Sequence, residues 1–275
     1  MRLWLVLALC AALPARAELR PEWEVGIGAT GFTFPDYRGS DQSRGYLLPF
    51  PYVIYRGDIL RVDRQGVRGV FFETDRVELD ISMGGTPPVD SSRNRAREGM
   101  PDLDPTFEIG PRLNVILARD HNRDRALSFR LPVRAVVATD LSYADGAGVV
   151  VYPNLTYDSR PRFFEGRWRL GLQAGLLYAS HDYHRYFYGV DPEFATPERP
   201  AYTATGGYSG AVFAASLTRR FQKLWVGGFA RYESLKGVSF ESSPLMRRDS
   251  AFTAGIAVAW VFAESANRVE VDVED

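Results

Sequence analysis

Thr106-Phe107-Glu108-Ile109-Gly110-Pro111-Arg112-Leu113-Asn114-Val115-Ile116-Leu117-Ala118 decides the fold. Phe107, Ile109, Pro111, Leu113, Val115 and Leu117 fall on one face of an extended chain, and Glu108, Gly110, Arg112 and Asn114 on the other. Successive side chains of a strand point to opposite faces, so this period of two predicts a strand with one apolar and one charged side. At thirteen residues it exceeds the usual strand of a soluble sandwich and has the length a tilted strand needs to cross a bilayer.

The same alternation recurs outward from this segment. Val77, Leu79, Ile81 and Met83 alternate with Glu78, Asp80 and Ser82, and Leu127, Phe129, Leu131, Val133 and Ala135 with Ser128, Arg130 and Arg134. Trp168, Leu170, Leu172, Ala174 and Leu176 alternate with Arg167, Arg169, Gly171, Gln173 and Gly175. In Ser250 to Phe262 the even positions, from Phe252 to Trp260 and Phe262, are bulky, and the odd ones are mostly small.

Twelve strands are predicted: 22–34, 44–55, 58–64, 66–73, 75–84, 105–118, 123–138, 147–158, 166–180, 207–220, 223–235 and 250–262. The third, fourth, tenth and eleventh alternate poorly, so ten is the alternative count. Long connections (34–44, 84–105, 138–147, 180–207, 235–250) take turns with short ones, the longest short one being Ser159 to Glu165. Long loops on one side and tight turns on the other predict an all-β fold, a closed antiparallel transmembrane barrel with extracellular loops and periplasmic turns. Its apolar face meets outer-membrane lipid, its polar face lines the lumen, and closure removes exposed sheet edges. Trp23, Tyr157, Trp168, Tyr178, Trp225, Tyr232 and Trp260 sit near strand ends, where interfacial aromatic girdles belong.

Export is read from the start of the chain. Arg2, the apolar run Leu3 to Leu13 and Ala15-Arg16-Ala17 form a signal peptide over residues 1–17, too short to span a bilayer as a helix. The barrel is assigned to 18–262 and an acidic, unstructured periplasmic tail to 263–275. Cys10, the only cysteine, falls in the signal, so the mature chain has no thiolate for zinc or catalysis. With 33 basic against 34 acidic residues there is no broad basic face for nucleic acid.

Several motifs invite chemistry and are better read otherwise. Gly26-Ile27-Gly28-Ala29-Thr30-Gly31 spells a dinucleotide fingerprint, but it lies inside an alternating strand with no helix after it. His181-Asp182-Tyr183-His184 lacks helical metal spacing and reads as a hydrated loop. Asp102 and Asp104, with Arg93, Arg95 and Arg97, read as a mixed-charge surface loop. Arg56-Gly57-Asp58 falls in a periplasmic turn. No catalytic, cofactor or metal site is assigned, and an enzyme has no positive support. The candidate functional positions are the inward charges Glu24, Glu78, Asp80, Glu108, Arg112, Arg130, Arg134, Arg167 and Arg169. They either line a narrow pore or pair across the interior and plug it.

Pro35-Asp36-Tyr37-Arg38-Gly39-Ser40-Asp41-Gln42-Ser43, then Pro49-Phe50-Pro51-Tyr52, Tyr55-Arg56-Gly57-Asp58 and Leu60 to Arg64, resembles the MipA/OmpV family of outer-membrane proteins. Tyr188-Gly189-Val190 with Pro192-Glu193 and Ala201-Tyr202 resembles a second family stretch, and the strand through Trp260 and Phe262 the closing one. Family chains end on that aromatic, which the barrel-assembly machinery reads; here 13 residues follow Phe262. The resemblance implies a non-enzymatic scaffold in the outer membrane that joins a lytic transglycosylase to a penicillin-binding protein. Pore and surface adhesin are the alternatives, and no residue roles carry over.

Overall fold

The computed structural model describes residues 18–57, 60–63, 66–121, 124–140, 142–163 and 166–271. The expected signal peptide over residues 1–17, Asp58 and the last four residues lie outside the described residues. The strands are β1 (Glu18–Pro21), β2 (Trp23–Pro35), β3 (Ser43–Arg56), β4 (Leu60–Asp63), β5 (Gly66–Glu73), β6 (Val77–Thr86), β7 (Thr106–Arg119), β8 (Arg125–Thr139) and β9 (Ala144–Val151). They continue as β10 (Asn154–Ser159), β11 (Arg162–Phe163), β12 (Gly166–Arg167), β13 (Arg169–Ala179), β14 (Gly207–Phe221), β15 (Leu224–Ser234), β16 (Ser250–Glu264) and β17 (Arg268–Val271), with one helix, α1 (His181–Tyr188).

β2 to β10 and β13 to β16 form one antiparallel sheet that returns on itself where β16 pairs with β2. β9 and β10 are two halves of one strand interrupted at Tyr152-Pro153, and both pair with β8 and with β13. Proline has no amide to give a ladder, which explains an interruption at that point. The ring therefore has twelve strands. The β4–β5 hairpin is the departure from regularity. β3 pairs with β4 only at Tyr55 and Arg56, and β5 reaches no further along β6 than Asp80.

The alternation sorts to the two sides as its physics requires. Ile27, Leu79, Phe107, Phe213, Ile256 and Phe262 are exposed on the outer wall, where lipid replaces water. Asp80, Arg112, Arg130 and Glu108 are buried within the ring. Trp23, Tyr178, Tyr232 and Trp260 are exposed outward near strand ends. Trp225 does not join that girdle: it pairs with inward-facing Ala259 and packs on Tyr52, so it closes the periplasmic end of the lumen.

Two expectations change. Residues 268–271 are not a loose tail, because β17 pairs with β1 from Glu18↔Val271 to Pro21↔Arg268. Glu22 N–H donates to the Asn267 carbonyl and Ser265 N–H to that of Trp23, fastening this ribbon to the barrel. The connection expected at 138–147 is much shorter, since β8 and β9 run to Thr139 and from Ala144.

Candidate functional site

The lumen is crossed by ion pairs on inward rows. The Asp80 carboxylate, with no exposed surface, accepts from Arg112 Nε at 3.0 Å and Nη2 at 2.5 Å, and Arg68 Nη1 lies 3.6 Å away. Arg68 also reaches Glu78 at 2.7 Å. Arg134 pairs with Glu108 at 3.1 Å and donates to Ser82 Oγ at 2.9 Å. Arg130 meets Asp158 at 3.2 Å, and Glu24 accepts from Arg56 at 2.9 Å and pairs with Arg220 at 3.2 Å. Arg169 lies on the inward row beside Thr218, and the Arg167 side chain lies outside the described residues. Glu24, Glu78, Asp80, Glu108, Arg112, Arg130 and Arg134 thus sit in pairs, because an unpaired charge there would carry an uncompensated desolvation cost. Each partner lies on another strand, so the pairs brace the wall.

The outer mouth is closed by its own loops. Tyr37, Val89, Leu103, Tyr183, Phe187, Tyr188, Phe240 and Leu245 are buried together there with inward residues of the strand ends, such as Val136 and Val150. This cap is the largest apolar core of the molecule, and the expected hydrated loop at 181–184 is part of it. Ser180 caps α1, and Tyr183, His184, Phe187 and Tyr188 occupy one helical face at three- and four-residue spacing. That spacing was present in the sequence and escaped a reading tuned to period two. Tyr188 stacks on Phe240 with ring centroids 3.6 Å apart.

The 35–42 stretch is the cap's hub. Pro35 ends β2; buried Asp36 accepts from Arg44 Nε at 2.7 Å and Asn94 Nδ2 at 2.8 Å. Tyr37 donates to the Leu245 carbonyl at 2.8 Å, Ser40 Oγ accepts from Asn94, and Asp41 pairs with Arg95 at 2.8 Å. Gly39 sits at φ +89°, a conformation that demands glycine, and a β-carbon there would meet the Met246 side chain. Arg38, which the charge reading omitted, binds Glu233, Ser209 Oγ and the Ser209 carbonyl, and its own carbonyl accepts from Tyr188. No local pattern betrays a pair separated by nearly two hundred residues.

Asp102 accepts from the Ser91 amide at 2.7 Å, and Asp104 from the Tyr143 hydroxyl, so both hold loop geometry. Gly26, Gly28 and Gly31 lie within β2, with Gly28 beneath the Phe50 ring. Arg56 ends β3 and Gly57 begins the periplasmic turn, where its amide donates to the Leu60 carbonyl at 3.2 Å.

His184 is wholly buried in the cap. Nδ1 lies 2.6 Å from the Thr205 carbonyl and so must donate, while Nε2 lies 3.0 Å from Ser209 Oγ. Ser209 Oγ accepts from Arg38 and, with the ring neutral, donates on to Nε2. Burial holds the imidazole below its ordinary 6.5, the Thr205 carbonyl opposes this, and the charges of Arg38 and His181 reinforce it. Unfolding the cap therefore takes up a proton, so its stability is complete above about pH 6.5 and falls as pH drops toward the depressed native value. Proteolysis of the 181–206 segment should be faster at pH 5 than at pH 7.5 in the native protein. His184→Gln should remove the difference; equal rates in the native protein at both pH values would refute it.

The family described as MltA-interacting protein MipA matches residues 27–262. Outer membrane protein Omp26La of Vibrio anguillarum is 25% identical over 251 residues, covering 88% of this chain and 87% of its own. Outer membrane protein OmpV of Vibrio cholerae serotype O1 is 24% identical over 251 residues, with shares of 88% and 87%. Among solved structures, the bacterial polysaccharide outer membrane secretin superposes with a TM-score of 0.43 at 8% identity, covering 87% of this chain and 99% of that one. A twelve-stranded barrel with an apolar outer wall, matched by this family over nearly its whole length, is an outer-membrane protein that belongs to the MipA family.

Proposed function

We propose that the protein is a non-enzymatic scaffold on the inner side of the outer membrane, holding a lytic transglycosylase and a penicillin-binding protein together. The observation that carries this reading is the family match over residues 27–262, under a description that names interaction with MltA. The periplasmic surface suits such a task. There the β1–β17 ribbon and the β11–β12 hairpin present backbone held in defined positions. The packed outer cap and the paired lumen charges weigh against the pore alternative, since an ion would have to break buried pairs to pass.

Photo-cross-linkers placed at Arg162 and Arg268 in living cells test the reading. A lytic transglycosylase or penicillin-binding protein is expected among the captured species, beyond the barrel-assembly machinery that any newly made barrel meets. Capture of the assembly machinery alone from both positions would overturn it.

A further inference from the structure

The short β4–β5 hairpin leaves an opening in the wall. From Ser43 to Ile54, β3 has β2 as its only strand partner among the described residues, and from Ile81 to Thr86 β6 has only β7. Loop contacts bridge the top of this opening: Gln42 Nε2 donates to the Arg93 carbonyl at 2.8 Å, and the Arg95 amide to Gln42 Oε1 at 2.7 Å. The free edge of β3 is protected as exposed edges are. Pro49 and Pro51, two residues apart, direct their missing amides to the same side, away from the continuous ladder with β2. The opening is therefore a feature the sequence provides for.

Behind it the lumen is apolar on one wall and open. Tyr52 is buried against Ala259 and Val261 inside the ring, so Tyr46, Leu48 and Phe50 on the same face of β3 also point inward. Leu48 is nevertheless 46% exposed and inward-facing Phe229 is 42% exposed, so side chains do not fill the space beside them. Phe32 stacks on Tyr46 at 5.3 Å. Between Phe32 and Phe229 stands Gly255, where a β-carbon would come within 2.7 Å of both residues. The result is a continuous apolar track from the opening to Phe229, spanning three strand spacings, about 14 Å.

The far end of the track is cationic. Arg231 follows Phe229 on the inward face, and its side chain is 35% exposed. Its Nε donates to Glu233 at 2.7 Å, and its two terminal amino groups make no hydrogen bond among the described residues. Arg38 and Arg231, two guanidiniums, meet the single carboxylate of Glu233. We propose that the opening admits a single-chain amphiphile with an anionic head from the bilayer into the lumen. Its head binds Arg231 and its chain lies along Phe229, Phe32, Tyr46 and Leu48. Charge complementarity selects an acid over a cation, and the lipid-facing opening selects a membrane-borne molecule over a water-soluble one.

The test uses the mature chain in lipid nanodiscs titrated with dansylaminoundecanoic acid, with empty discs as the baseline. Saturable binding above that baseline is expected, displaced by dodecanoate and not by dodecyltrimethylammonium. Arg231→Gln should weaken acid binding about tenfold while leaving dodecanol displacement of a neutral dansyl probe unchanged, as loss of one charge-assisted contact implies. Leu48→Glu should abolish binding of both probes. Heat-modifiable gel mobility establishes that each variant is folded. No saturable component, equal displacement by acid and cation, or unaltered acid binding in Arg231→Gln would each overturn the proposal.

Discussion

Asp80→Ala is expected to destabilise the barrel by about 3–5 kcal/mol, because it strips a buried charge network of its shared acceptor. Asp80 has no exposed surface and binds Arg112 through both carboxylate oxygens, while Arg68, only 1% exposed, reaches it from β5. Glu78 remains to hold Arg68, but Arg112 loses its carboxylate partner while its side chain is only 8% exposed. The loss measures an abandoned guanidinium more than the worth of the pair itself. The double replacement Asp80→Leu with Arg112→Met should therefore lose markedly less than the single one. Urea unfolding in lipid vesicles, followed by tryptophan fluorescence and gel mobility, checks both. A loss under about 1 kcal/mol for Asp80→Ala, or a double variant no better than the single, would refute this account.

The second large effect belongs to the cap and should stay there. Phe240 has no exposed surface, stacks on Tyr188 with the rings 9° apart and lies 4.6 Å from the His184 ring. Phe240→Ala removes that contact and leaves a cavity, a change that costs about 3–5 kcal/mol in a packed core. The cap's loops contribute little to the strand ladder, so the loss should appear as local opening while the barrel's own unfolding midpoint barely moves. Protease added to whole cells should cut within 181–206 far faster than in the native protein, with the membrane-embedded remainder surviving as a folded fragment. A protected segment in Phe240→Ala would show that the loops do not depend on this core.

The strands were legible because a barrel in lipid imposes a strict two-sided rule on each of them. Thr106 to Ala118 and Ser250 to Phe262 obey it almost without exception, and all twelve predicted segments are strands of the ring. Lumen charges were legible for the same reason: a charge on the inward row of a long strand has nowhere else to point. Their partners were not, since Arg130 and Asp158 or Arg134 and Glu108 meet only through strand register. The cap escaped because loops were expected to be solvated, and nothing local in His181-Asp182-Tyr183-His184 announces that Phe240 and Leu245 will cover it. Gly39 and the two prolines of β3 stood in the family stretch as letters, and only the free edge and the crowded turn give them physical meaning. The tail misled for a simpler reason. Its acidic composition suggested disorder, yet β17 is a short alternating strand, Arg-Val-Glu-Val, with a waiting partner in β1.

That partnership bears on how the chain becomes a ring. Every other junction of the wall joins neighbours in sequence, but the seam between β16 and β2 unites segments more than two hundred residues apart. Contacts at such sequence distance form late, and the seam cannot exist before the final strand does. A bulge between Val261 and Ala263 interrupts its ladder near the periplasmic rim. The ribbon of β1 and β17 begins just beyond that rim, continuing the same two chain ends in the same antiparallel sense. It acts as a clasp on the last junction to close, set in water, where forming and breaking it leaves the lipid-facing wall undisturbed.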